Sequence, residues 1–134
     1  MNRKVYFGIL LLLILLIAIT HNIATEHYLY WKYLWSDLVV HLFSGLWVAL
    51  VGLGIFVFSR KDKSGIMRIL FSTIILSLSI GILWEVFEYS VGIISFSKWY
   101  VPDTISDIIM DMIGGIAGFF IALGLRKEPE EIVN

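Results

Sequence analysis

Apolar residues fall in four long runs, over residues 5–20, 37–58, 66–91 and 104–125, and most of the charges lie outside these runs, between them or at the termini. A helix rising about 1.5 Å per residue crosses the roughly 30 Å hydrocarbon core of a bilayer in about 20 residues. Each run therefore predicts a transmembrane helix. A membrane β-barrel would need strands of about 10 residues with alternating polarity, whereas these runs are continuously apolar. The pattern predicts an all-α, polytopic membrane protein. It forms a bundle of four transmembrane helices in a single integral membrane domain over residues 1–134, with 126–134 as a polar tail. Arg3 and Lys4 ahead of the first run would also suit a signal peptide. That run is long for a signal-peptide core, however, and Asn22-Ile23-Ala24 makes a poor cleavage site, so a retained helix is expected. The aromatic stretch from Glu26 to Trp35 fits either a short helix along the headgroups or a continuation of the first helix.

Composition removes several function classes. Of 134 residues 59% are hydrophobic and 16% charged, with a mean hydropathy of +0.89, against about 25% charged in a soluble domain. Four spans consume most of the chain and leave no room for a large soluble catalytic domain. A net charge of −1 offers no basic surface for nucleic acid, so the bilayer is the expected partner. With no cysteine, thiolate metal sites, cysteine nucleophiles and disulfides are excluded. Neither a phosphate-binding loop nor an HExxH zinc sequence occurs.

The basic residues set an orientation. Arg3, Lys4, Arg60, Lys61, Lys63, Arg68, Arg126 and Lys127 fall on one side of a four-helix topology and only Lys32 and Lys98 on the other. By the positive-inside rule both termini are expected in the cytoplasm, in a multi-pass protein of the cytoplasmic (inner) membrane. Trp31, Trp35, Trp84 and Trp99, with Tyr28, Tyr30, Tyr33, Tyr89 and Tyr100, gather at the outward ends as an interfacial belt.

The acids do not follow the same division. Asp62, Glu128, Glu130 and Glu131 are expected inside and Glu26 in the outer loop, but Asp37, Glu85, Glu88, Asp103, Asp107 and Asp111 fall within or at the ends of helices. Counted from the helix ends, His41 lies about 6 Å below Asp37 and Asp111 about 10 Å below Thr104. All of these groups then share a depth in the outer half of the bilayer. Asp37 and His41 are four apart, Glu85 and Glu88 three apart, and Asp103, Asp107 and Asp111 four apart in turn, so each set occupies one helical face. The faces continue inward as small residues: Gly45, Ala49 and Gly52; Gly81 and Ser77; Gly114, Gly118 and Ala122. Small residues at this spacing let helices approach closely in lipid. Gly45, Gly81, Gly114 and Gly118 are expected to line a packing seam among the last three helices, leaving the first helix at the periphery.

A carboxylate at the bilayer centre costs about 2.5 to 3.5 kcal/mol on insertion scales, and the nearby bases are too few to pair six acids. Protonated carboxylic acids, a water-filled cavity or a bound cation would each resolve this. Oxygen ligands with one imidazole suit Mg, Mn, Ca, Zn or Fe, and helical bundles can present Glu and His from facing helices to such ions. The expected cofactor is a divalent metal ion, with His41, Glu85, Asp111, Asp37 and Asp107 as candidate ligands and Asp107 or Glu88 as a candidate general base. Plainer readings stand beside these. Asp37 and Asp103 suit helix caps, Thr104-Ile105-Ser106-Asp107 matches a capping box, and Glu88 suits a wet interface. His41, Glu85 and Asp111 could also act solely as buried hydrogen-bonding groups that hold the bundle. Ser44, one turn from His41, is the one visible hydroxyl nucleophile candidate and equally suits packing.

Asp37-x-x-x-His41-x-x-x-Gly45, Trp84-Glu85-x-x-Glu88 and Asp103-Thr104-x-x-Asp107 before a glycine-rich helix resemble the YjdF-type inner-membrane protein family, and more distantly the VanZ-like family. Glu88 follows the YjdF-type pattern, where VanZ-like proteins carry Gln. Lys98 stands in the loop where they carry an Arg, and Asp111 where they carry Asn. The resemblance implies a small polytopic membrane protein without naming a reaction. The expected function is an outward-facing intramembrane acidic and His site, dependent on a divalent metal, that acts on or senses a cell-envelope component. A proton or cation transport component and a non-catalytic assembly or resistance factor remain as alternatives.

Overall fold

The computed structural model describes residues 3–33, 35–58, 65–92 and 100–125, with side chains described outside 55–58 and 100. The described residues form five helices: α1 (Arg3–Glu26), α2 (Leu29–Lys32), α3 (Trp35–Phe58), α4 (Ile66–Ser90) and α5 (Tyr100–Leu125). All but α2 are long and apolar enough to cross a membrane. Arg60, Lys61, Lys63, Lys98, Trp99, Arg126 and Lys127 lie outside the described residues.

Two helices run further than the apolar pattern suggested. α1 continues past residue 20 through Glu26, where Thr25 returns its hydroxyl to the His21 carbonyl at 2.9 Å and Asn22 reaches Glu26 at 3.4 Å. These polar side chains bond within their own helix and so do not stop it. Tyr28, with a left-handed φ of 57°, then turns the chain into the short α2. α5 begins at Tyr100, four residues before Thr104. Pro102 occupies its first turn, where a missing N–H costs nothing because that N–H has no helical acceptor. Thr104 and Asp103 are therefore inside the helix, and the capping-box expectation fails. Gly92 adopts φ 73° just after α4, the left-handed position that glycine takes at a helix end.

α3 is the central element and packs on α1, α4 and α5. Its closest approach is to α5, where the backbones nearly touch. A Cβ on Gly45 would fall on the Asp111 carbonyl oxygen, and one on Gly114 would fall on the Leu42 carbonyl oxygen. Further along, a Cβ on Gly118 would sit 2.7 Å from Ala49 Cβ. Gly81 has a different part. A Cβ there would strike the Asp111 carboxylate, so this glycine makes room for a polar side chain instead of a neighbouring helix. α1 lies on the outside of the bundle and is joined to α3 by polar contacts as well as apolar ones. The Tyr6 hydroxyl donates to the Leu50 carbonyl, and Trp47 Nε1 donates to the Leu10 carbonyl at 2.9 Å. Tyr6, Leu10, Ala49, Leu50, Leu53, Ile69, Phe119 and Ala122 form the buried apolar core at this end. The remaining faces carry exposed Leu11, Leu12, Leu15, Ile75, Leu83 and Phe120, the surface expected against lipid chains.

Candidate functional site

The opposite end of the bundle is polar inside. His41, Glu85, Glu88, Asp107 and Asp111 are all buried, none more than 5% exposed, and Asp37 is partly buried beside them. The helices place them through the spacing already described. His41 lies one turn before Gly45 on α3, and Asp111 lies three residues before Gly114 on α5. The glycine contact that brings those backbones together thus brings His41 and Asp111 together too. His41 donates Nδ1–H to Asp111 Oδ2 at 3.0 Å. Its other nitrogen, Nε2, faces Asp37 Oδ1 at 3.7 Å and Glu85 Oε1 at 3.8 Å.

The imidazole therefore divides the carboxylates by role. Asp111 holds Nδ1 and so fixes the ring, leaving Nε2 directed at the remaining acids. Such a carboxylate behind a histidine is the usual companion of a metal-ligating imidazole. Potential ligand atoms of Asp37, His41 and Asp107 lie within 4.8 Å of one another, and so do those of His41, Glu85 and Glu88. The geometry gives Asp111 a positioning place behind the ring, while Asp37, Asp107, Glu85 and Glu88 stand in front of it or beside it. Asp103 is partly buried in the first turn of α5 and belongs to neither group.

Two oxygens in this cluster, Glu85 Oε1 and Asp107 Oδ1, are buried without a hydrogen-bond partner. Leaving a buried polar atom unpaired costs about 1–3 kcal/mol, and more when it is charged. The second Glu85 oxygen, Oε2, accepts the Thr104 hydroxyl at 2.8 Å. That bond orients the carboxylate so that Oε1 faces His41. Thr104 was legible in the sequence only as a cap, although its place three residues before Asp107 puts it on the same helical face.

Above the cluster, α2 supplies Tyr30, whose hydroxyl is hydrogen-bonded to His21 Nδ1 at 2.8 Å. Burial raises the Tyr30 phenol above its ordinary value, and the nearby Asp37 and Glu88 carboxylates raise it further. It is therefore a neutral hydrogen-bonding group at physiological pH. His21 in turn meets the Trp84 ring edge-on, with centroids 5.8 Å apart. Beside the His41–Asp111 pair lies a cavity of about 420 Å³ bounded by α1, α3, α4 and Asp111 of α5. Ser44, the hydroxyl nearest His41 in sequence, lines this cavity.

The family described as a predicted membrane protein, DUF2238, matches residues 1–128. No curated protein and no solved structure matches the chain.

Proposed function

The chain belongs to the DUF2238 family of predicted membrane proteins, and from that premise we propose that it holds a divalent cation within the membrane and uses it on a cell-envelope component. The observation that carries this reading is the arrangement about His41. Asp111 bonds Nδ1, Nε2 faces Asp37 and Glu85, and two buried carboxylate oxygens close by have no partner of their own. A cation there would satisfy those oxygens and offset the mutual repulsion of the acids. His41, Glu85, Asp37 and Asp107 would hold it, Asp111 would orient the imidazole, and a bound ion would supply Lewis acidity. In a hydrolysis or group transfer, Glu88, or Asp107 where it does not hold the ion, would take the proton from the attacking water or hydroxyl. The resemblance of the three motifs to the YjdF-type and VanZ-like patterns supports an envelope role. The excess of basic residues at the termini and the α3–α4 connection supports cytoplasmic termini, and with that orientation the site would lie in the outer leaflet of the cytoplasmic membrane.

A conducting pathway is less well supported. Towards the other end of α4, the Thr73 hydroxyl donates to the Ile69 carbonyl at 2.8 Å and the Ser79 hydroxyl to the Ile75 carbonyl at 2.7 Å. Both are engaged by their own helix, so neither extends the acidic cluster inward.

The test is a titration of the chelator-treated, detergent-purified protein with Mn²⁺ and Zn²⁺ by calorimetry. One ion per chain is expected for the wild type, and none for a folded His41→Ala, Glu85→Gln double variant. Wild-type protein that takes up neither ion would overturn the proposal.

A further inference from the structure

The cavity beside His41 is apolar along most of its wall, with Ile14, Ile17 and Ala18 of α1 facing Val48 of α3 and Ile80 of α4. Its volume of about 420 Å³ lies within the range of about 300–1,000 Å³ typical of small-molecule sites. Among the described residues no Cα of α1 comes within 8 Å of a Cα of α4. Near the rim His21 of α1 contacts Trp84 of α4. Ile80 lines the cavity and is nevertheless 42% exposed, so the wall continues outward between the two helices. Because α1 and α4 both span the membrane, this seam opens onto hydrocarbon and not onto water. A purely apolar filling would leave part of the wall unmatched. Ser77 lines the cavity with a buried hydroxyl that has no partner, Ser44 adds a second hydroxyl, and the His41–Asp111 pair forms part of the same wall.

We infer that this cavity takes the acyl chain of a bilayer lipid, admitted sideways between α1 and α4, and so identifies the envelope component as an acyl lipid. Its polar end is met by His21 and Asn22 at the rim and by His41 and Asp111 on the wall. An amphiphile satisfies both parts of the lining, whereas water would be disfavoured against the apolar part. The inference rests on the proposed metal site only in treating His41 as the reactive end. Chain binding itself requires no ion.

The experiment uses the full chain in liposomes containing phosphatidylglycerol with a photoreactive diazirine on its acyl chain, and maps the adducts by mass spectrometry. Adducts are expected to concentrate on Ile17, Ala18 and Ile80 over the outward-facing Leu12 and Phe120. Added unlabelled lysophosphatidylglycerol should reduce labelling at Ala18 while leaving Phe120 unchanged. Ala18→Trp, which fills the cavity, should lower labelling at Ile80 several-fold, and Leu12→Trp should not. Uniform labelling of all lipid-facing positions, with equal competition at Ala18 and Phe120, would overturn the inference even if Ala18→Trp fails to fold. The two readings fail separately. Loss of selective labelling with ion binding intact removes this one alone, and loss of ion binding with labelling intact removes only the metal site.

Discussion

His41 is the residue through which every part of the site is connected, because each ring nitrogen faces a different set of carboxylates. Asp111→Asn keeps the shape of the side chain but removes the charge that holds Nδ1 of the ring. Loss of such a supporting carboxylate typically costs about 10–100-fold in metal affinity, so calorimetric titration of this variant should give weakened binding. Unchanged affinity would show that Asp111 does not act through the ring. Acid should weaken ion binding further, since a metal competes with protons for carboxylates and imidazole. Titrations repeated from neutral to mildly acidic pH should show affinity falling as pH falls, with protons released into buffer on binding. Thr104→Val should weaken binding by a smaller factor, because Glu85 loses the donor that directs Oε1 toward His41. At this scale the sequence was partly legible. Helical spacing placed Asp37, His41, Glu85, Asp107 and Asp111 on shared faces, but spacing along separate helices gives no rotation of an imidazole. That Asp111 meets Nδ1, while Asp37 and Glu85 face Nε2, follows from how α3 and α5 dock.

The docking of α3 against α5 depends on Gly45 and Gly114, each lying where a side chain would collide with the other helix's backbone. Backbone cannot move aside as a flexible side chain can, so overpacking there should exceed the usual cost of about 1–3 kcal/mol. Gly114→Leu is expected to lower the thermal unfolding midpoint in detergent and to abolish ion binding. Gly8→Leu and Gly124→Leu, at positions with open space around the missing Cβ, should leave both unchanged. The four spans could be read from the apolar runs because bilayer hydrocarbon imposes both length and composition. Their ends could not. The start of α5 was hidden by Pro102, which the first turn of a helix tolerates, and the end of α1 by polar residues that bond within the helix. Gly81 was legible as a small residue but not as one that accommodates a carboxylate, since sequence does not show which neighbour fills the space.

For the molecule as a whole, the proposed orientation can be measured directly, because the chain contains no cysteine. A single Tyr28→Cys variant should react in intact cells with a membrane-impermeant maleimide, and a single Lys63→Cys variant should react only after permeabilisation. The reverse result would turn the acidic cluster toward the cytoplasm. The peripheral place of α1 was legible from its lack of buried polar residues, but the cavity it encloses was not, since a space between helices leaves no mark on any one of them. The backbone contact between α3 and α5 has one more consequence. Because His41 and Asp111 lie within a turn of glycines locked against the facing chain, the polar end cannot expand freely, and the proposed ion site would act as a gauge of ionic radius. Zn²⁺ binds oxygen at about 2.0–2.2 Å, while Ca²⁺ prefers about 2.3–2.6 Å and a larger, more pliant shell. In a direct competition Zn²⁺ should displace Ca²⁺, and Gly114→Ala, whose Cβ would press the Leu42 carbonyl away and widen the frame, should narrow that preference while lowering the unfolding midpoint.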